Sequence, residues 1–286
     1  MRRFPDWLKK SIPETPTLQT DATLEKFNLN TICYSAKCPN RSECFANRTA
    51  TFLILGNLCT RRCTFCSVPQ GVPVELDRTE PERVAKASLE LGLKHIVVTS
   101  VNRDDLADGG SEIFYETILA IKRLIPDATV EVLTPDFQGN IAAILRVAEA
   151  RPEIYNHNLE TVPRLYKRVR PQALYEQSLN LIRTVKSHHP GILTKSGLMV
   201  GLGEKVEEVL YVLSELRAYQ CDIVTIGQYL KPKEERLPVE EFVRPETFAL
   251  FEAKGREMGF KEVFSGPFVR SSYHAEETFL QAKKTG

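Results

Sequence analysis

The chain has 286 residues, 42% of them hydrophobic, 26% charged, with a formal net charge of +1. That is enough apolar material for a sizeable core in a single α/β unit, and the balanced charge excludes a global affinity for nucleic acid or anionic membrane. Met1-Arg2-Arg3-Phe4-Pro5-Asp6-Trp7 carries no apolar stretch behind its positive charge, so it is not read as a secretory signal, and the longest apolar runs are too short to span a bilayer.

In chain order, residues 1–50 show no helical or strand period and are read as irregular; apolar burial alone cannot order such a segment. From residue 51 a regular alternation begins. Phe52-Leu53-Ile54-Leu55-Gly56 reads as a buried strand, 80–91 as a helix with Pro81 near its start, and 96–99 as a second strand. A helix over 113–124 stops before Pro126; a third strand over 129–133 ends before Pro135. Then come a helix over 141–150, a strand over 154–159, a helix over 175–185 and a strand over 195–200. A helix over 206–216, a sixth strand over 223–226 and a helix over about 246–258 complete the pattern.

Strands alternating with helices imply a parallel sheet. Six units without a dinucleotide fingerprint favour a partial (βα)6 TIM-type barrel, with an N-terminal extension over 1–50, the barrel over 51–240 and a C-terminal extension over 241–286. In such a barrel the chemistry sits on loops after the strands. The polar and glycine-rich segments 57–66, 100–110, 160–161 and 201–204 all fall there.

Six of the seven cysteines, Cys33, Cys38, Cys44, Cys59, Cys63 and Cys66, lie between positions 33 and 66. In a long chain read as cytoplasmic this density points to metal or redox chemistry and away from disulfides. Cys59-Thr60-Arg61-Arg62-Cys63-Thr64-Phe65-Cys66 puts three soft ligands on the loop after the first strand. A structural zinc or an inert cluster wants four closed ligands; three on a cubane leave one iron open for substrate. Arg61 and Arg62 are candidates to offset the cluster's negative charge. Cys33, Cys38 and Cys44 form a second triple, spaced by four and five residues; on spacing alone a structural zinc remains the alternative to a cluster.

The first triple, with Phe65 before its last cysteine, resembles the radical S-adenosylmethionine superfamily. The resemblance implies an S-adenosylmethionine chelated on the open iron and cleaved to a 5′-deoxyadenosyl radical. It places Gly109 and Gly110 at the cofactor's methionine end, although Ser111 follows them where Glu is usual. It places Gly197, Gly201 and Glu204 beside the adenine, with Met199 in place of Ile. Asn158 and Glu160 are a ribose position or satisfied loop polar groups, and each glycine taken alone reads as a turn residue before a ligand contact.

The second triple, together with Cys38-Pro39-Asn40-Arg41, Asn102-Arg103-Asp104-Asp105, His157-Asn158-Leu159-Glu160-Thr161 and Arg270-Ser271-Ser272-Tyr273, resembles the lipoyl synthase family over about residues 30–275. That resemblance implies two [4Fe–4S] clusters, the auxiliary one held by Cys33, Cys38, Cys44 and Ser272 and consumed as sulfur donor. It implies sulfur insertion at the sixth and eighth carbons of an octanoyl chain on a lipoyl carrier domain. An electron donor such as ferredoxin or flavodoxin and an iron–sulfur carrier protein are the further partners it implies. The rivals are another sulfur-inserting radical enzyme and a non-catalytic iron–sulfur protein. Cys221 reads as a core residue, His188 and His189 as a solvated helix end, His157 as a support for Asn158 or Glu160, and Arg168 and Arg170 as solvated or carrier-contacting.

Overall fold

The structure, a computed structural model, describes residues 4–10, 18–47, 49–71, 73 and 75–284. The six expected strands are β2 (Thr51–Ile54), β3 (His95–Ser100), β4 (Thr129–Leu133), β5 (Ile154–Asn156), β6 (Leu193–Val200) and β7 (Ile223–Gln228). They pair in parallel and in sequence order. Two further strands flank them. β1 (Asn30–Thr31) pairs antiparallel with β2, and β8 (Glu262–Gly266) pairs parallel with β7. The sheet thus has eight strands with edges at β1 and β8, the layout of an open, partial barrel.

The helices that cover the sheet follow its apolar patterning. α4 (Glu80–Leu91) has Pro81 in its first turn and left-handed Gly92 at its end. α5 (Ser111–Leu124) buries Ile113, Phe114, Ile118 and Ile121 on one face. α6 (Ile141–Glu149) starts where the Asn140 side chain accepts from the Ala143 amide. α8 (Tyr175–His188), α9 (Val206–Ala218) and α10 (Pro245–Glu257) continue the ring.

The irregular reading of residues 1–50 needs correction, though residues 1–3, 11–17 and 48 of that stretch lie outside the described residues. α1 (Leu18–Lys26), α2 (Ile32–Ser35) and α3 (Arg41–Ala46) are all there. They escape a periodicity search because two are only one or two turns long and α1 buries Thr20 and Thr23 beside Leu24. The strand expected over 154–159 stops at Asn156; beyond it Glu160, at φ +70°, makes an isolated parallel bridge to Leu198 of β6.

A second C-terminal addition is α11 (Ala275–Lys284), which follows the short helix α7 (Tyr166–Val169) and all the strands. Its Phe279 stacks on His95 with centroids 5.6 Å apart and packs on Ile154 and Ile223, at the strands' N-terminal ends. Inside the barrel Lys195 donates to both oxygens of Glu131 at 2.9 and 3.0 Å, both side chains fully buried. Burial works against the Glu131 charge, yet Lys195 and His95 hold its carboxyl below the usual range. No helix among the described residues is long and apolar enough to cross a membrane.

Candidate functional site

The loop after β2 begins with two left-handed residues, Leu55 at φ +68° and Gly56 at +96°, which turn the chain over the strand ends. Backbone bonds then fix it from several sides. Cys59 donates to the carbonyl of Pro69 at 2.9 Å, Thr60 to that of Asn102 at 3.1 Å and Thr64 to that of Val169 at 3.1 Å. The Asn102 amide points at Cys59 Sγ, 3.4 Å away.

Arg61, between the first two cysteines, is buried and grips two carboxylates. It donates to Asp104 at 2.7 and 2.9 Å and to Asp136 at 2.9 and 2.6 Å. Burial opposes both charges, but the pairing raises the pKa of Arg61 and holds Asp136 well below the carboxylate range. One side chain therefore ties the loops after β2, β3 and β4 together. Arg61 thus braces the loop as well as standing beside the thiols, where its charge acts against the rise in the Cys63 pKa; Arg62 is exposed.

The second triple is built from both chain extensions. α2 carries Cys33, the left-handed Lys37 (φ +52°) precedes Cys38, and α3 carries Cys44. Against them lies residues 268–273. Asn40 Nδ2 donates to the carbonyl of Phe268 at 2.7 Å, and Tyr273 Oη donates to Glu43 at 2.8 Å. Lys10 pairs with Glu43 at 2.5 Å and sits over the rings of Phe268 and Tyr273. On its other side this segment presses on β7, where a Cβ on Gly227 would stand 2.0 Å from the Val269 carbonyl oxygen. Only glycine admits so close a crossing.

These elements enclose a cavity of about 400 Å³, and all six cysteines of the two triples line it. So do Phe65, Asn158, Glu160, Gly197, Arg170, Ser271 and Ser272. Asn158 Nδ2 donates to Glu160 at 3.0 Å and to Ser271 Oγ at 2.7 Å. A Cβ on Gly197 would come within 2.7 Å of Asn158 Oδ1 and 2.9 Å of Ser271 Oγ, so this glycine makes room for the pair. Among the described residues no hydrogen bond engages the Ser272 hydroxyl.

Gly109, Gly110, Gly201 and Glu204 are not among the residues lining the cavity. Their environment is one of packing. A Cβ on Gly110 would meet Leu55 at 2.4 Å, one on Gly109 would meet Phe137 at 2.9 Å, and one on Gly201 would meet Gln228 at 2.2 Å. Glu204 accepts from the amides of Gly201 and Leu202. His157 does not support Asn158 or Glu160 through its ring: it is buried against the Thr134 carbonyl at 2.8 Å and Ser178 Oγ at 3.0 Å, and burial lowers its pKa to about 4. Cys221 is fully buried in the core, as expected of it.

Arg170 is the residue whose place the sequence reading missed. It is buried, not a surface cation, and donates through one nitrogen to the carbonyl of Asn158 and to Tyr166 Oη, both at 2.7 Å. The following Pro171 was its only sequence signal, marking a turn. Arg168 is exposed and paired with Glu240 at 2.6 Å.

The thiols show what this cavity requires of an occupant. Burial pushes Cys33 up to about 11 and Cys44 and Cys66 up to about 12; it also raises Cys63, with Arg170 acting against the rise. Buried thiolates form when a cation takes them as ligands, and soft thiolate donors suit iron. All six are free cysteines. Among the described residues no group of three or more His, Cys, Asp or Glu is placed to hold one metal ion. A cluster, whose irons present separate corners to three thiolates and one further ligand, suits each triple. Glu160 is raised by burial, opposed by Arg170 and the Asn158 bond.

Comparison with known proteins agrees with this chemistry. Residues 53–216 match the family model described as the radical SAM superfamily. A lipoyl synthase of Caldanaerobacter subterraneus is 57% identical over 96% of this chain and 96% of its own length. A lipoyl synthase of Rubrobacter xylanophilus is 53% identical over 98% and 88% respectively. Among solved structures, a methylornithine synthase shares the fold with a TM-score of 0.56 at 17% identity, over 96% of this chain and 81% of that one. Streptococcus suis SuiB bound to S-adenosylmethionine gives 0.59 at 10% identity, over 75% and 49%.

Proposed function

The chain belongs to the lipoyl synthase family of radical S-adenosylmethionine enzymes, and from that premise we propose how its residues divide the work of inserting two sulfur atoms, at the sixth and eighth carbons, into a protein-bound octanoyl-lysine. Two [4Fe–4S] clusters and S-adenosylmethionine go with the family. When bound, one cluster with S-adenosylmethionine supplies a 5′-deoxyadenosyl radical and the auxiliary cluster supplies the sulfur.

Cys59, Cys63 and Cys66 hold the radical-generating cluster and leave one iron for the cofactor. Phe65 lines the same cavity and would flank that cluster. Asn158 and Glu160 bind the cofactor's ribose, Gly197 leaves room for that contact, and Gly109, Gly110, Gly201 and Glu204 shape the loops around it. Arg170 brings positive charge to the Cys63 side of the cavity, where it would help offset the charge of an anionic cluster. Cys33, Cys38, Cys44 and Ser272 hold the auxiliary cluster. Ser271 is already bonded to Asn158, whereas the Ser272 hydroxyl is free to ligate iron. The shared cavity keeps the reacting carbon near both clusters and away from water, which would otherwise intercept a radical.

The observation that carries this reading is that both triples and Ser272 line one cavity. An octanoylated carrier domain is its macromolecular substrate. A ferredoxin- or flavodoxin-type donor, an iron–sulfur carrier protein and a reducing, cytoplasmic setting complete the proposal, since buried cluster thiols do not survive oxidation. The test pairs iron content with product mass after anaerobic reconstitution. Ser272→Cys should retain the auxiliary iron yet lower product yield, because thiolate holds iron more firmly than a hydroxyl oxygen. Ser272→Ala should still bind auxiliary iron but hold it more weakly. Unchanged yield in Ser272→Cys would remove this serine from the ligand set.

A further inference from the structure

We propose that Ser271 is a positioning residue that couples the S-adenosylmethionine pocket to the segment carrying Ser272, an inference that rests on the ligand and ribose assignments above. The two sides of the junction are anchored differently. On the cofactor side Glu160 sits at φ +70°, locked to β6 by its amide on the Gly197 carbonyl at 2.9 Å and by its own carbonyl receiving Met199 at 2.8 Å. On the auxiliary side the chain crosses β7 at Gly227 and runs through Val269 and Arg270 into the two serines. The 2.7 Å bond from Asn158 Nδ2 to Ser271 Oγ joins one side to the other.

The junction is built to hold only this arrangement. Asn158 Nδ2 spends both hydrogens, one on Glu160 and one on Ser271. Its Oδ1 is buried without a partner, which leaves it as an acceptor for a hydroxyl of the cofactor. An orphan acceptor inside a protein is costly until filled. A hydroxyl donating to it also polarises the amide and strengthens the donation to Ser271, since hydrogen bonds in a chain reinforce one another. The bond to Ser271 in turn fixes the adjacent Ser272. Cofactor binding therefore steadies the auxiliary ligand, and by reciprocity a closed auxiliary site tightens cofactor binding.

The experiment uses anaerobically reconstituted holoenzyme. Iron release to a ferrous chelator is followed with and without saturating S-adenosylmethionine, and cofactor affinity is measured by equilibrium dialysis. The auxiliary phase is identified as the one accelerated in Ser272→Ala. In the wild type S-adenosylmethionine should slow that phase by about fivefold, the low end of coupling between two sites. In Ser271→Ala the slowing should vanish and cofactor affinity should fall by about the same factor. Gly197→Ala keeps the hydroxyl but crowds both partners of the bond, and should abolish the slowing as well. A slowing of equal size in wild type and Ser271→Ala, or none in the wild type, overturns the coupling. If Ser272→Ala accelerates no phase, the ligand assignment fails instead.

Discussion

The two cysteine triples face the same cavity but are held by different means. Cys59, Cys63 and Cys66 sit on a loop braced by a buried Arg61 with two carboxylates and by backbone bonds to the loop after β3 and to the end of α7. Cys33 and Cys44 sit on short helices, with Cys38 on the connection between them, and are met by a segment more than two hundred residues away. That meeting depends on the half-buried Lys10–Glu43–Tyr273 contacts and the Asn40 bond. A group that must cycle without being lost is well served by a buried, over-determined frame. A group that is dismantled each time is better served by a closure that opens at low cost. The contrast suits a permanent cluster on the barrel and a consumable one at the junction of the extensions.

The largest effect should come from breaking the buried frame. Arg61→Ala leaves Asp136 in the interior without its cation, and a half-removed buried pair costs about 3–5 kcal/mol. Denaturant unfolding of the holoprotein should show that loss together with less iron. A loss below about 1 kcal/mol would mean the frame is not what fixes this loop.

Next is a pH dependence on the barrel side. His157 is held neutral by burial, with a folded pKa of about 4 against 6.5 when exposed. Between those values the unfolded chain binds the proton and the folded one does not, so stability falls as pH falls from 6.5 to 4. The full loss is about 3 kcal/mol. His157→Gln should flatten that part of the stability–pH curve; an unchanged curve would show that His157 is not its source.

A smaller effect separates the two regions directly. Gly227→Ala places a methyl against the Val269 carbonyl, and the overlap costs about 1–3 kcal/mol. The displaced segment should release auxiliary iron to a chelator before barrel iron. Simultaneous release from both sites would erase the contrast between them. The smallest effect is Tyr273→Phe, which removes one half-buried bond to Glu43. Global stability should change by less than about 1 kcal/mol, while auxiliary iron release accelerates and barrel iron release does not.

Much of this was legible along the chain. The strands and helices of the barrel announce themselves because each buries a continuous apolar run or face, and a cysteine triple after the first such strand falls where parallel barrels keep their chemistry. The missed elements lack that signal: α1 buries threonines, α2 and α3 are too short for a period, and β8 exposes Ser265 and Gly266 in part. Arg170 was misjudged because an arginine in a loop looks solvated until the partners that bury it, Asn158 and Tyr166, are seen.

What the sequence by itself determined is the chemistry: six thiols in two triples, the alternation that makes a barrel, and a serine pair near the chain's end. These follow from residue type and local spacing, which need no knowledge of distant contacts. Only the tertiary structure decided that Arg61 serves as a brace, that Gly109, Gly110 and Gly201 relieve packing, and that Ser271 is bonded while Ser272 is free. Each of those depends on a partner between about forty and more than one hundred residues away or on a clash a few ångströms across, and the pattern along the chain carries no record of which distant groups the fold brings within reach.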